Sequence, residues 1–215
     1  MNDLATIQAN IQKQLAASQA ALPQDSVDNK IRASNHKFIL PDGTESEGPM
    51  RAIILDYKWK NQYFASTFNR NNITPPDCTA IGRDANELIP DANSKNVQAD
   101  SCADCPQSKW GSRGRGKACS NKVVLAVAPT RITPLTQPWI LELPPTSIGS
   151  FTKYMQSIMG KGQLCFTVAT SISFDTSQDY TKLEFGNPEP LDEETLMQAY
   201  ELAQRAHTAL PVDTE

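Results

Sequence analysis

Four of the five cysteines have the spacing to hold a metal ion. Cys78, Cys102, Cys105 and Cys119 form the series C-x23-C-x2-C-x13-C. The central C-x-x-C lets two thiolates reach one ion from a tight knuckle, and a closed shell of four thiolates is what structural zinc prefers. An iron–sulfur cluster uses the same four thiolates and stays open as the alternative cofactor. Unpaired or disulfide-linked cysteines are the reading without a metal. The N-terminus, Met1-Asn2-Asp3-Leu4, has no basic segment leading into an apolar one, so no signal peptide is expected and C-x-x-C reads as metal or redox before disulfide. Cys78 is the most distant of the four, and whether it is the fourth ligand stays open. Cys165 lies in the strand-like run Leu164–Val168 and is expected to be a buried, inert thiol. His36 is expected to open a strand and is a poor substitute ligand; His207 is expected to face solvent.

The knuckle frames a cationic segment. Lys109, Arg113, Arg115, Lys117 and Lys122 fall within fourteen residues that contain no acid. Gly111, Gly114 and Gly116 let the backbone approach a ligand and offer N–H groups to phosphate. Gly116-Lys117 is followed by Ala118, so the hydroxyl of a nucleotide P-loop is missing. Trp110 is either a stacking platform for a base or an apolar plug beneath the knuckle. Upstream, Lys58, Trp59 and Lys60 repeat the mixture of charge and aromatic surface, beside Tyr57, Tyr63, Phe64 and Phe68. Cations for phosphates and ring faces for bases suit a single strand of nucleic acid. Enzyme signatures are sparse: there is no H-x-x-x-H and no G-x-S-x-G, and Glu45, Glu47 and Asp56 are too scattered for a two-metal nuclease, so no catalytic residue is assigned.

The elements that must position these residues are short strands and three helices. The chain has 215 residues and a net charge of −4, enough for one large or two small domains. Charge is segregated. From residue 184 onward eight acids (Glu184, Glu189, Asp192, Glu193, Glu194, Glu201, Asp213, Glu215) face Arg205 alone, a balance of −7, which leaves +3 for the rest of the chain. No apolar run is long enough for a membrane span. Leu4, Ile7, Ile11 and Leu15 predict an amphipathic helix over 3–22, ended by Pro23. Strands are expected at 36–40, 51–57 and 62–68, separated by turns at Pro41-Asp42-Gly43 and Lys60-Asn61. Thr74–Gly82 reads as irregular, and 83–118 as an excursion too long for an ordinary loop. Strands return at 122–128 and 139–143. A helix starts at Pro144-Pro145-Thr146-Ser147, with Ile148, Phe151, Met155, Ile158 and Met159 as its apolar stripe. A hairpin over 164–174 and 180–185 and a helix over 192–207 complete the chain. The expected fold is mainly β with flanking helices, a β-barrel of OB-like type carrying an inserted four-cysteine metal-binding loop. Its expected divisions are 1–35 (helix and linker), 36–186 (β domain, insertion at about 78–120) and 187–215 (acidic helix and tail).

Cys102-Ala103-Asp104-Cys105-Pro106, Trp110-Gly111-Ser112 and Gly116-Lys117-Ala118-Cys119 resemble a group of bacteriophage and prophage proteins of replication or recombination modules. Leu143-Pro144-Pro145-Thr146-Ser147, Thr170–Asp175 and Tyr180–Phe185 are also similar to that group, and the resemblance spans roughly 50–186. It implies a sequence-tolerant single-stranded DNA-binding protein, with an OB-type domain bearing a metal, working in the cytoplasm of a bacterial host. It further implies an acidic C-terminus that recruits replication or recombination proteins. Such tails end in an aromatic, whereas this chain ends Pro211-Val212-Asp213-Thr214-Glu215. A metal-stabilised protein-interaction adaptor and a metal-dependent nuclease are the competing expectations. A homo-oligomer is compatible with either.

Overall fold

The run Ala52-Ile53-Ile54-Leu55 is apolar on both alternating faces, which a strand tolerates only when both faces are covered. In the computed structural model, which describes residues 29–67, 69 and 74–210 with scattered positions between 6 and 18, this run lies near the start of the central strand of the molecule. The strands are β1 (Lys30–Ser34), β2 (Lys37–Ile39), β3 (Glu45–Ser46), β4 (Met50–Tyr63), β5 (Cys78–Gly82), β6 (Cys119–Pro129), β7 (Trp139–Leu143), β8 (Val168–Phe174) and β9 (Leu183–Pro190). The helices are α1 (Pro145–Met159) and α2 (Glu193–Ala209). The strands form one mixed sheet in the order β3-β2-β1-β7-β6-β4-β8-β9, with β5 also paired to β4. Among the described strands every pairing is antiparallel except that of β1 with β7. The described residues are thus mainly β, a curled sheet resembling half a barrel, with α1 and α2 packed on it.

The helices cover opposite faces. On one, Phe151, Tyr154, Met155 and Ile158 of α1 pack on Ala52, Ile54, Val123, Leu125 and Val127. On the other, Ala199, Leu202, Ala203 and Ala206 of α2 pack on Ile53, Leu55, Val124 and Ala126. Each fully buried Leu or Ile contributes about 1.5–3 kcal/mol by leaving water. The acidic segment near the C-terminus is therefore partly a core element. Asp192 caps α2, accepting from the Thr195 N–H at 2.8 Å, and Glu193 and Glu194 sit in its first turn, where acids complement the helix dipole.

Several expectations need correction. No turn interrupts β4 at Lys60-Asn61: the strand runs on to Tyr63 because it has partners on both sides there, Lys60 pairing with Lys122 and Ile81, and Asn61 with Asn121 and Ala80. Two neighbouring ladders outweigh a local turn preference. Cys78–Gly82, expected to be irregular, is β5 for the same reason. His36 does not open a strand; Asn35 (φ 50°) and His36 (φ 57°) are the two-residue turn between β1 and β2, and two consecutive left-handed residues match the twist of a tight hairpin. The sheet begins at Lys30, ahead of position 36. Met159 is exposed, and Tyr154 takes its place among the buried residues of α1. The strand expected at 139–143 and the helix after Pro144 are present; the strand expected over 164–174 begins only at Val168, and Cys165–Thr167 before it is a 3₁₀ turn rather than strand. Most of the expected 3–22 helix, Phe68 and residues 211–215 lie outside the described residues. Among those described, no helix is long and apolar enough to cross a membrane.

Candidate metal and nucleic-acid site

The sheet gathers the four cysteines of the series at one end. Cys78 opens β5 and Cys119 opens β6, and both pair with Tyr63, so they flank β4 on the same face. That face is the one α1 covers, since Trp59 pairs with Val123 of its core. Cys102 enters through its N–H bond to the Leu88 carbonyl at 3.0 Å and packs with Ala80, Leu88 and Trp59. All four thiols are buried and free. Burial first, and then the neighbouring Cys78 and Cys105, push the Cys102 thiol up against an opposing hydrogen bond from Asn61. The Cys119 thiol is pushed up to about 11, by burial first, opposed by a hydrogen bond from Ser108 and reinforced by Cys102, Cys105 and Cys78. Cys78, distant in sequence, is therefore a neighbour in space.

Whether these residues suit a metal is answered by what surrounds them. Among the described residues, no three His, Cys, Asp or Glu side chains stand close enough to hold an ion as they are. The thiols are assembled without being drawn to coordination distance. Ser108 Oγ is buried without a hydrogen-bond partner, beside the Cys119 sulfur. A hydroxyl and an amide, from Ser108 and Asn61, each beside a sulfur, are donors of the kind that orient a metal-bound thiolate. A divalent cation would also reverse the cause of the raised thiol pKa values, because it replaces the protons. The donor set fits a thiolate-bound metal.

The loop between Cys105 and Cys119 is held by short backbone links. Pro106–Ser108 is a single 3₁₀ turn. Arg113 and Gly116 pair across a tight turn, with hydrogen bonds of 3.0 and 3.2 Å. Gly114 (φ 60°) at that turn and Gly111 (φ 89°) before it occupy the left-handed region, where a side chain would be strained. Ser112 explains the Trp-Gly-Ser sequence: its Oγ lies 3.0 and 2.7 Å from the Gln107 and Lys109 carbonyls and accepts from the Ala118 N–H at 2.9 Å. Lys109 donates to the Ala103 carbonyl at 2.7 Å and Lys117 to Asn121 Oδ1 at 3.2 Å. Among the described residues, Lys109, Arg113, Arg115 and Lys117 form no salt bridge with a carboxylate. Trp110 is 78% exposed, so it is not the plug beneath the knuckle; Trp59, packed on Cys102 and Leu88, fills that place.

The strand cations behave differently. Lys60 and Lys122 pair across β4 and β6 and converge on Glu142 at 2.6 and 2.8 Å. Burial raises the Glu142 carboxyl, but hydrogen bonds and charge from Lys122 and Lys60 outweigh it and hold the group below its ordinary value. Lys58 is 5% exposed and pairs with Val124, part of the core under α2. Strand alternation places Lys58, Lys60 and Lys122 on the face opposite the cysteine loop. Grouping Lys58, Lys60 and Lys122 with the loop cations is therefore corrected: only Lys109, Trp110, Arg113, Arg115 and Lys117 share the loop, with Trp59 below it.

Two recesses complete the surface. The larger, about 740 Å³, lies between the cysteine loop and the first turns of α1; Trp59, Asn61 and Asn121 form its floor, Trp110 and Lys117 one wall, Thr146 and Gly149 the other. The smaller, about 430 Å³, lies where β4 bulges between Ile54 and Asp56. There Arg83 donates to Asp56 at 2.7 Å, His207 Nδ1 stands 3.3 Å from the same carboxylate, and Arg83 also touches His207. Sequence reasoning missed this group, because its members come from β4, the excursion and α2. Cys165 beside it is pushed up to about 12, chiefly by burial, which agrees with an inert thiol. Glu45 and Glu47 both engage Lys37, so they do not converge with Asp56. Comparison with protein-family models, curated proteins and solved structures finds no match for this chain, and its function is read from the chemistry of these sites.

Proposed function

We propose that the protein is a sequence-tolerant single-stranded DNA-binding protein of a phage replication or recombination module, acting in the bacterial cytoplasm. The observation that carries the proposal is the cysteine loop itself: four cations without carboxylate partners among the described residues and an exposed Trp110, displayed above an open aromatic cleft and anchored beside four buried thiols. Arg113 and Arg115, exposed at a turn, are available to phosphates. Trp110 offers a ring face to a base. Cys78, Cys102, Cys105 and Cys119 would hold zinc, or an iron–sulfur cluster, and the metal would supply a cross-link between the loop and the ends of β5 and β6. In this reading the curled sheet serves as an OB-type platform. The acidic outer face of α2, with Glu193, Glu194 and Glu201 exposed, repels the strand from that side and offers a surface to replication proteins.

The test is titration of labelled oligothymidine at several salt concentrations. Four neutralised phosphates give a slope of log affinity against log salt near −3. A slope near zero would remove the proposal. Elemental analysis together with the visible spectrum separates colourless zinc from a coloured cluster.

A further inference from the structure

We propose that the cleft between the cysteine loop and α1 is a recess for one unstacked nucleobase, whose edge is read by the side-chain amide of Asn121. The inference rests on the single-strand reading above and adds to it a place where bases, rather than phosphates, are recognised.

The argument begins with a chain of hydrogen bonds along the cleft floor. Lys117 Nζ donates to Asn121 Oδ1 at 3.2 Å, and Asn121 Nδ2 donates to Asn61 Oδ1 at 2.6 Å. The Asn61 amide in turn stands beside the Cys102 sulfur. An ammonium can only donate, so the Asn121 atom facing Lys117 is its oxygen and the amide orientation follows. Both Asn61 groups are then engaged. Asn121 retains one Nδ2 hydrogen and one Oδ1 lone pair, side by side, and lines the cleft. A donor and an acceptor at that spacing match the edge of a nucleobase, in the way asparagine engages adenine. Trp59 on the floor and Trp110 at the rim supply ring surface for the base faces. Lys117 stands where the sugar–phosphate of the same nucleotide would leave.

The opposite wall is kept open by Gly149. A Cβ there would meet nothing within 4 Å, although the residue lies inside α1, where glycine is otherwise unfavourable. Two substitutions therefore address the recess separately. Asn121→Ala removes the reading group, and Gly149→Leu fills the space with a good helix former while leaving the floor intact.

The measurement is fluorescence anisotropy with labelled oligomers of equal length: oligo-dT, oligo-dA, oligo-rU and an abasic deoxyribose-phosphate chain. The wild-type protein is expected to prefer base-bearing chains over the abasic one. Asn121→Ala and Gly149→Leu each lower that preference on the order of tenfold, in the deoxyribo and ribo series alike. Arg113→Ala with Arg115→Ala weakens binding to every oligomer and leaves the preference in place. If both recess variants keep the wild-type preference while binding persists, the recess is overturned and the single-strand proposal stands. If the wild-type protein binds none of the oligomers, the single-strand proposal falls and takes the recess with it.

Discussion

Two groups of cations end in opposite circumstances, although Lys122 of the one stands close in sequence to Arg113 and Arg115 of the other. Lys60 and Lys122 sit on strands, in register with one another, and share the carboxylate of Glu142. Arg113 and Arg115 sit on a glycine turn with no carboxylate partner among the described residues. The difference is one of backbone. A strand fixes the direction of each side chain and brings a neighbour's charge within reach. A loop held by short backbone links and by Ser112 leaves Arg113 and Arg115 facing water. A lysine in a basic stretch is thus evidence of a binding surface only once the sheet has decided what stands beside it.

The largest effect is expected at the anchor. Cys102→Ser with Cys105→Ser should abolish metal in elemental analysis and weaken oligothymidine binding on the order of a hundredfold, since all four phosphate contacts of the loop depend on its display. Removal of the metal by a chelator should do the same. Undiminished binding by metal-free protein would break the link between thiols and loop.

Next comes the contrast itself. Arg113→Ala with Arg115→Ala should reduce the salt slope from about −3 to about −1.4, at ~0.7 per phosphate for single strands. Lys60→Ala with Lys122→Ala should leave the slope where it was. Equal losses in the two double variants would erase the distinction between the groups. A smaller change is expected for Trp110→Ala: binding weaker by about 1–3 kcal/mol with no change in Tm, because a residue 78% exposed contributes little packing. A drop in Tm would show that it supports the fold instead.

The smallest effect concerns pH. Against burial, which raises it, Lys122 and Lys60 hold the Glu142 carboxyl below its ordinary value, so its contribution to stability is present above the ordinary value and is lost as pH falls through the lowered one. The group is 37% exposed, and screening limits the effect to a few tenths of a kcal/mol. Denaturant midpoints followed from pH 7 to pH 3 should fall less steeply for Glu142→Gln than for the wild type, while oligothymidine binding at pH 7 stays the same. A change in that binding would mean that the strand cations do reach the nucleic acid.

Local patterns made part of the fold legible. The helix after Pro144-Pro145 follows from its start signal and apolar spacing, and β7 from its run of Ile140, Leu141 and Leu143. Those signals act within one element. The continuation of β4 through Lys60-Asn61 and the existence of β5 depend on ladders supplied by residues 78–82 and 119–123, which no window around residue 60 contains. The group at Asp56, Arg83 and His207 was invisible for the same reason.

What the amino-acid order determined by itself is the chemistry on offer: four cysteines at ligand spacing, a cationic glycine segment without acids, an acidic C-terminal helix. What only the tertiary structure decided is which of those groups meet. Cys78 became a neighbour of Cys119 because both pair with Tyr63, and Lys60 became a partner of Glu142 rather than a free cation. Side-chain direction along a strand alternates with every residue, so one pairing register settles the face, the neighbours and the availability of each charge.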